Sequence, residues 1–124
     1  MSSYYPAVVL TDRCLFCRIV AGEIPAKKAY EDEDVVAFHD INPQAPSHIL
    51  IIPRRHIASL DELTEGDANT VGTIVVRAAH IARTLHLEND GYRLVVNMGE
   101  NAGQTVFHIH FHLLGGRSFA WPPG

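Results

Sequence analysis

Three histidines fall at alternate positions near the C-terminus. His108, His110 and His112 lie within Thr105–Leu114, TVFHIHFHLL. Side chains two apart on a strand share a face. The alternation therefore predicts a strand over 105–114 with the three imidazoles on one face. Ile109, Phe111 and Leu113 then point to the other face, toward a core. Adjacent imidazoles repel when charged and need partners when neutral, so a core gains nothing from them. Neutral imidazole is a competent nucleophile near neutral pH. A second imidazole can protonate a leaving group or hold phosphate oxygens, and a strand fixes the spacing between the two. This chemistry is phosphoryl or nucleotidyl transfer, with the central His110 as nucleophile. Two other readings of the pattern are a solvent-facing polar strand and a metal site made from all three rings.

The only two cysteines, Cys14 and Cys17, form C-x-x-C. In a reducing compartment such a pair reads as metal-binding or redox-active more readily than as a disulfide. A redox motif would need a thioredoxin-like βαβ context, which the surrounding sequence does not offer. Two thiolates make half of a tetrahedral zinc site. The plain alternative is two reduced thiols packed in a small core.

The elements that must position these groups follow from the apolar pattern. Short strands are expected at Lys28–Glu31, Asp34–Ile41 (ended by Asn42-Pro43), Ser47–Pro53 and Tyr92–Asn97, besides the histidine segment. Cys14–Val20 reads as a short helix, closed by Gly22 and Pro25. A long helix is expected from a cap at Thr64 or Asp67 to about Leu85, with Val71, Ile74, Val75, Ala78, Ile81, Ala82 and Leu85 recurring at threes and fours. Gly99–Gly103 reads as a flexible loop. The sum is an α+β domain with a mainly antiparallel sheet. At 124 residues, 47% hydrophobic and 19% charged, the chain suits one domain over 13–124, with 1–12 as a flexible arm. Disorder is excluded by this composition. No apolar run approaches the ~20 residues that cross a bilayer. The N-terminus lacks a basic region ahead of its brief apolar patch, so a cytoplasmic location is expected. Ten basic residues against fourteen acidic ones give a net charge of −4, which argues against a nucleic-acid surface.

At these residues the chain resembles a known family. FHIHFHLLGG matches the His-x-His-x-His-x-x signature, x apolar, of the histidine triad (HIT) superfamily. AFHDINPQAPSHILIIPRRHI, GQTVFHIH and GGRSFAWPPG are similar to its Hint branch of purine nucleoside phosphoramidases, and the resemblance covers about residues 14–124. The Trp-Pro-Pro-Gly ending separates that branch from the Fhit branch of dinucleoside polyphosphate hydrolases. The resemblance implies a HIT fold: a five-stranded, mainly antiparallel sheet with one long and one short helix. It also implies a homodimer that joins two sheets into one. The implied activity is hydrolysis at the α-phosphate of purine nucleoside 5′-phosphoramidates or aminoacyl adenylates, through a nucleotidyl-histidine.

Residue by residue, the resemblance makes His110 the nucleophile and sets His112 against the phosphate and leaving group. The carbonyl of His108 would orient the nucleophile, and His48 would be the fourth active-site histidine. Asp40 takes the position that accepts the ribose hydroxyls, a role suited to a carboxylate. Phe16, Ile19, Phe38, His39, Ile41 and Leu50 match positions lining the base pocket. Asn97, Gly103, Gln104, Thr105 and Val106 match positions around the ribose and phosphate, with Thr105 in place of a more usual Ser. Trp121 would reach toward the partner's site. The bacterial members and the related galactose-1-phosphate uridylyltransferases imply a structural zinc on Cys14, Cys17, His56 and His108, whereas animal Hint proteins lack the cysteine pair. His80 and His86 lie outside every matched motif and are expected to be solvated. Two other functions fit parts of the pattern: a dinucleoside polyphosphate hydrolase, and a nucleotide-binding regulatory or scaffold protein.

Overall fold

The near-continuous apolar run Ser47–Pro53 is the middle of the sheet, buried along almost its whole length. A strand with no polar alternation must be covered on both faces, and here it is. The computed structural model describes residues 13–124; the arm expected at 1–12 lies outside the described residues. The described elements are helix α1 (Leu15–Val20), strands β1 (Lys28–Glu31), β2 (Val35–His39) and β3 (Ser47–Pro53), helix α2 (Ala68–Thr84), and strands β4 (Tyr92–Val96) and β5 (Phe111–Gly115). The sheet runs β1-β2-β3-β5-β4 with every pairing antiparallel. This is the α+β architecture expected from the sequence. No described helix is long and apolar enough to cross a membrane.

The two faces of β3 feed two cores. Ile49 and Ile51 pack with Ile74, Ala78, Ile81 and Ala82 of α2 and with Ile109, Phe111 and Leu113. Leu50 and Ile52 pack on the other side with Val36, Phe38 and the α1 residues Phe16 and Ile19. A capping box, in which Thr64 and Asp67 bond reciprocally, opens the 3₁₀ turn Glu65–Asp67 that leads into α2, and Arg55 pairs with the same Asp67 carboxylate. Of the helix residues expected to face the core, Val75 is exposed. It follows Ile74 by about 100° around the axis and leaves the buried stripe. Asp32 ties the β1–β2 turn to α2. One oxygen takes the Asp34 and Val35 N–H groups at 2.8 and 3.0 Å, and the other takes the Tyr30 hydroxyl at 2.7 Å and Arg77 Nε at 2.6 Å.

The strand expected over 105–114 is shorter than its pattern. β5 begins at Phe111, and the chain bends through Val106–His108. The cause lies in β3. The β3–β5 register pairs Ile51 with Phe111, so the next rung would place Ile109 beside Pro53, which has no N–H to give. The Ile109 N–H bonds the Ile57 carbonyl instead, at 2.6 Å. Alternation outlasts the ladder. Ile109, Phe111 and Leu113 enter the α2-side core, while His108 and His110 lie edge-on to Phe16 on the α1 side, with ring centroids at 6.0 and 5.1 Å. The loop expected over Gly99–Gly103 is a single 3₁₀ turn, Glu100–Ala102, flanked by Gly99 and Gly103 at φ +89° and +98°.

Ile51 is sealed at the sheet centre. Ile51→Ala is expected to lower stability by about 2–5 kcal/mol, read as a shift of the urea midpoint at unchanged slope.

Candidate active site

His108 sits where two sites meet. Its ring is fully buried. Nε2 lies 2.9 Å from the Pro53 carbonyl; a carbonyl only accepts, so Nε2 carries the proton and Nδ1 presents a lone pair. That lone pair faces Cys14 Sγ at 3.4 Å, Cys17 Sγ at 3.4 Å and His56 Nδ1 at 3.3 Å, and Cys17 Sγ lies 3.2 Å from His56 Nδ1. All four donor atoms lie within 4.8 Å of one another. Zn–N bonds of about 2.0–2.1 Å and Zn–S bonds of about 2.3 Å set tetrahedral edges of roughly 3.3–3.8 Å. Four of the six donor–donor distances sit near those edges. Burial, then the neighbouring Cys14 thiol, pushes the Cys17 thiol up to about 12, so that thiol stays protonated in the absence of a cation. A dication reverses that preference. Burial likewise pushes His108 down to about 4, which keeps it in the neutral, ligating form. Two cysteines and two histidines in this geometry suit a closed structural zinc site, and the Pro53 carbonyl is the outer contact that orients one ligand.

The backbone of His108 serves the second site. His110 Nδ1 lies 2.8 Å from the His108 carbonyl. The carbonyl again fixes the tautomer, so His110 Nε2 holds the lone pair, and His110 lines a cavity of ≈ 570 Å³. A parallel argument fixes the next two rings. The Gln44 N–H donates to His48 Nδ1 at 3.0 Å. His48 therefore carries its proton on Nε2, 2.9 Å from His112 Nδ1 and 3.4 Å from Asp40 Oδ2. His112 Nδ1 must then accept, which leaves its Nε2–H as a donor; His112 also lines the cavity. Asp40, His48 and His112 cluster like a set of metal ligands. The tautomers oppose that use, because His48 Nε2 is a donor here and offers no lone pair. The rings of His110 and His112 are 5.1 Å apart. One presents a lone pair and the other a proton.

Most residues expected to touch substrate converge on this cavity. Phe16 and Ile19 from α1, Phe38 from β2 and Leu50 from β3 form its apolar end, and His39 at the end of β2 and Asp40 just after it line it too. Phe16 and Phe38 meet edge to face at 5.4 Å, and Ile41 stands fully exposed at the mouth. Gly103, Thr105 and Val106 approach beside His110. Three expected residues lie elsewhere. Gln104 is buried, and its amide bonds only protein: it accepts from the Gly99 N–H at 2.9 Å and donates to the Ala58 and Val106 carbonyls at 2.8 and 3.2 Å. It braces the loop that carries Thr105. Asn97 and Trp121 are outside the cavity lining, and Trp121 is 82% exposed. The sequence reading missed Ile24, Pro25, Ala26 and Lys27, which wall the cavity between α1 and β1. Gly22 and Pro25 had marked that stretch only as a break. His80 and His86 are exposed, with His80 edge-on to Tyr30.

A HIT domain model matches residues 21–119. The chain belongs to the HIT family. A HIT family hydrolase from Legionella pneumophila Philadelphia 1 is 50% identical and superposes with a TM-score of 0.89, over 90% of this chain and all of that one. A 14 kDa zinc-binding protein from Zea mays is 48% identical over 112 residues, 89% of this chain and 87% of its own length. A histidine triad nucleotide-binding protein from Candida albicans is 33% identical with a TM-score of 0.76, covering 90% and 84%. The segment around His108–His112 is thus the histidine triad of a HIT fold, and its first member is one of the four residues of the Cys2His2 cluster.

Two outcomes follow for the HIT domain. Cys14→Ser is expected to lose zinc by elemental analysis and to melt at a lower temperature, as chelator-treated wild type does; unchanged zinc content would remove the cluster as the site. The second concerns pH. Burial, reinforced by His110 and His48, pushes the His112 ring down to about 4. The unfolded ring takes its proton near pH 6.5, so between roughly pH 6.5 and pH 4 the unfolded state binds more protons and stability falls as pH falls. The ring is only partly buried, so the discounted contribution is about 1–2 kcal/mol. Urea midpoints across that window are expected to fall less for His112→Asn than for wild type.

Proposed function

We propose that the chain is a hydrolase that cuts at the α-phosphate of purine nucleoside 5′-phosphoramidates or aminoacyl adenylates. The observation that carries this reading is the His108 carbonyl on His110 Nδ1, which turns the nucleophilic lone pair of Nε2 toward the cavity. That lone pair forms a bond to phosphorus while the P–N or P–O bond to the leaving group breaks. The electron pair of the broken bond goes to the leaving atom, which accepts a hydrogen bond from the His112 Nε2–H; a leaving nitrogen takes its proton from water in the cavity, which becomes hydroxide. His112, 5.1 Å from His110, stays neutral, while His110 becomes cationic on bonding to phosphorus. That hydroxide, or water that gives its proton to solvent, then attacks phosphorus, and the His110–phosphorus bond breaks to free the nucleoside monophosphate and the neutral ring. The apolar slot between Phe16, Phe38 and Leu50 suits a base, and Asp40 Oδ2 at the cavity wall suits ribose hydroxyls. The zinc site stays outside these steps; its four protein ligands leave no open position.

The nucleotide-binding relative and the Hint-like Trp-Pro-Pro-Gly ending support the purine nucleotide. A homodimer belongs to the same reading. β4 is an edge strand, an unpaired edge seeks a partner, and Val75 and Val76 of α2 are exposed.

Incubation with adenosine 5′-phosphoramidate is expected to release AMP. His110→Ala is expected to lower that release by at least about 10³-fold while binding AMP with similar affinity. Equal turnover by both proteins would sink the reading.

A further inference from the structure

We propose that Arg117 is a positioning residue for the triad: through the Gln44 peptide it sets which nitrogen of His48, and in turn of His112, carries the proton. Gln44 faces two ways. Its N–H donates to His48 Nδ1 at 3.0 Å, and its carbonyl accepts from Arg117 Nε at 3.0 Å. The peptides on either side of that residue hold an active-site ring at one end and a guanidinium at the other. Arg117 is itself held. A second guanidinium nitrogen donates to the Ser118 carbonyl at 2.9 Å, and the group stacks over Phe119 at 4.2 Å. Arg93 covers Phe119 as well, at 5.2 Å, and donates to the Ala120 carbonyl at 2.7 Å.

A second contact fixes the same loop. Gly116 is at φ +91°, and a Cβ there would lie 2.9 Å from Pro46. The chain leaving β5 is therefore pressed against the loop before β3 at two points, Pro46 and Gln44. Removing Arg117 frees the Gln44 carbonyl and with it the direction of the loop. Once His48 Nδ1 loses its donor, the proton of that ring is free to move from Nε2 to Nδ1. His48 Nε2 then faces His112 Nδ1 with a lone pair, and His112 answers by moving its own proton to Nδ1. Its Nε2 would reach the cavity bare, with no hydrogen bond to give a leaving group. Total protonation is unchanged; only the placement differs.

The tautomers are read directly. Zinc-loaded protein with ¹⁵N-labelled histidine is expected to show His48 and His112 each with an unprotonated Nδ1 and a protonated Nε2. In Arg117→Ala both rings are expected to shift toward mixed tautomers, and Arg117→Lys, which keeps one donor, is expected to recover most of the wild-type signal. The kinetic arm rests on the hydrolase reading above. There Arg117→Ala is expected to lower kcat about tenfold for an alkylamine leaving group, whose developing charge needs a donor, and less than about twofold for a p-nitrophenolate leaving group, which needs none. Gly116→Ala disturbs the same loop through Pro46 and is expected to show the same split. Unchanged tautomers in folded Arg117→Ala would overturn the proposal, as would equal losses for both leaving groups. If the wild type turned over neither substrate, the hydrolase reading would fail and the tautomer measurement would still decide this one.

Discussion

One peptide unit and one ring, both belonging to His108, hold the site together. The ring is closed off by the Pro53 carbonyl on one nitrogen and by two sulfurs and an imidazole on the other. The carbonyl of the same residue fixes the tautomer of His110. Neither contact is separable from the other, because a displaced ring carries its own backbone with it. A closed metal site beside a reactive one makes sense in these terms: four ligands restrain a residue whose exact position matters to a neighbour it touches only through the main chain. The strain-free way to present His110 is to keep His108 still.

The sheet divides the work between its faces. The α2 side is a conventional aliphatic core, with Ile49, Ile51, Ile74 and Leu113 sealed from water. The α1 side trades part of its apolar area for imidazoles and a cavity. Those imidazoles remain affordable because each nitrogen that is buried has a partner, and no buried side-chain nitrogen or oxygen among the described residues lacks one. Donors and acceptors alternate from Gln44 through His48 to His112 without a clash. That order keeps the rings neutral: a third proton shared between His48 and His112 would oppose an existing N–H. Burial, with His110 and His48 beside the ring, lowers the His112 pKa to about 4, and the order of donors and acceptors favours the same neutral state.

Side-chain chemistry was legible in the sequence, and main-chain chemistry was not. The alternation of Ile109, Phe111 and Leu113 with three histidines gave the two faces correctly, and Ser47–Pro53 matched its strand residue for residue. The ladder's early end at Phe111 depends on what stands opposite. Pro53 is visible in the sequence, but its alignment with Ile109 is a fact of register. The roles of Gln44 and Arg117 pass through an N–H and a carbonyl that every residue type possesses, so no residue pattern announces them. Gln104 shows the converse. Its neighbours Thr105 and Gly103 reach the cavity, while its own amide is consumed by Gly99, Ala58 and Val106. Adjacency in a motif does not decide which way a side chain turns.

α1 is only six residues long. A helix of that length has no stability of its own in water and is ordered by what it docks against. It carries Phe16 and Ile19, and the stretch that follows contributes Ile24 to Lys27, so this piece of chain shapes the apolar end of the cavity while the imidazoles belong to β3, β5 and the segment just before β5. On the proposed function, part of the recognition surface is therefore written on a stretch of the gene apart from the imidazoles. Substitutions in that stretch can retune which molecules enter without disturbing the rings that act on them, a division of labour that lets one scaffold diversify its clientele while its chemistry stays constant.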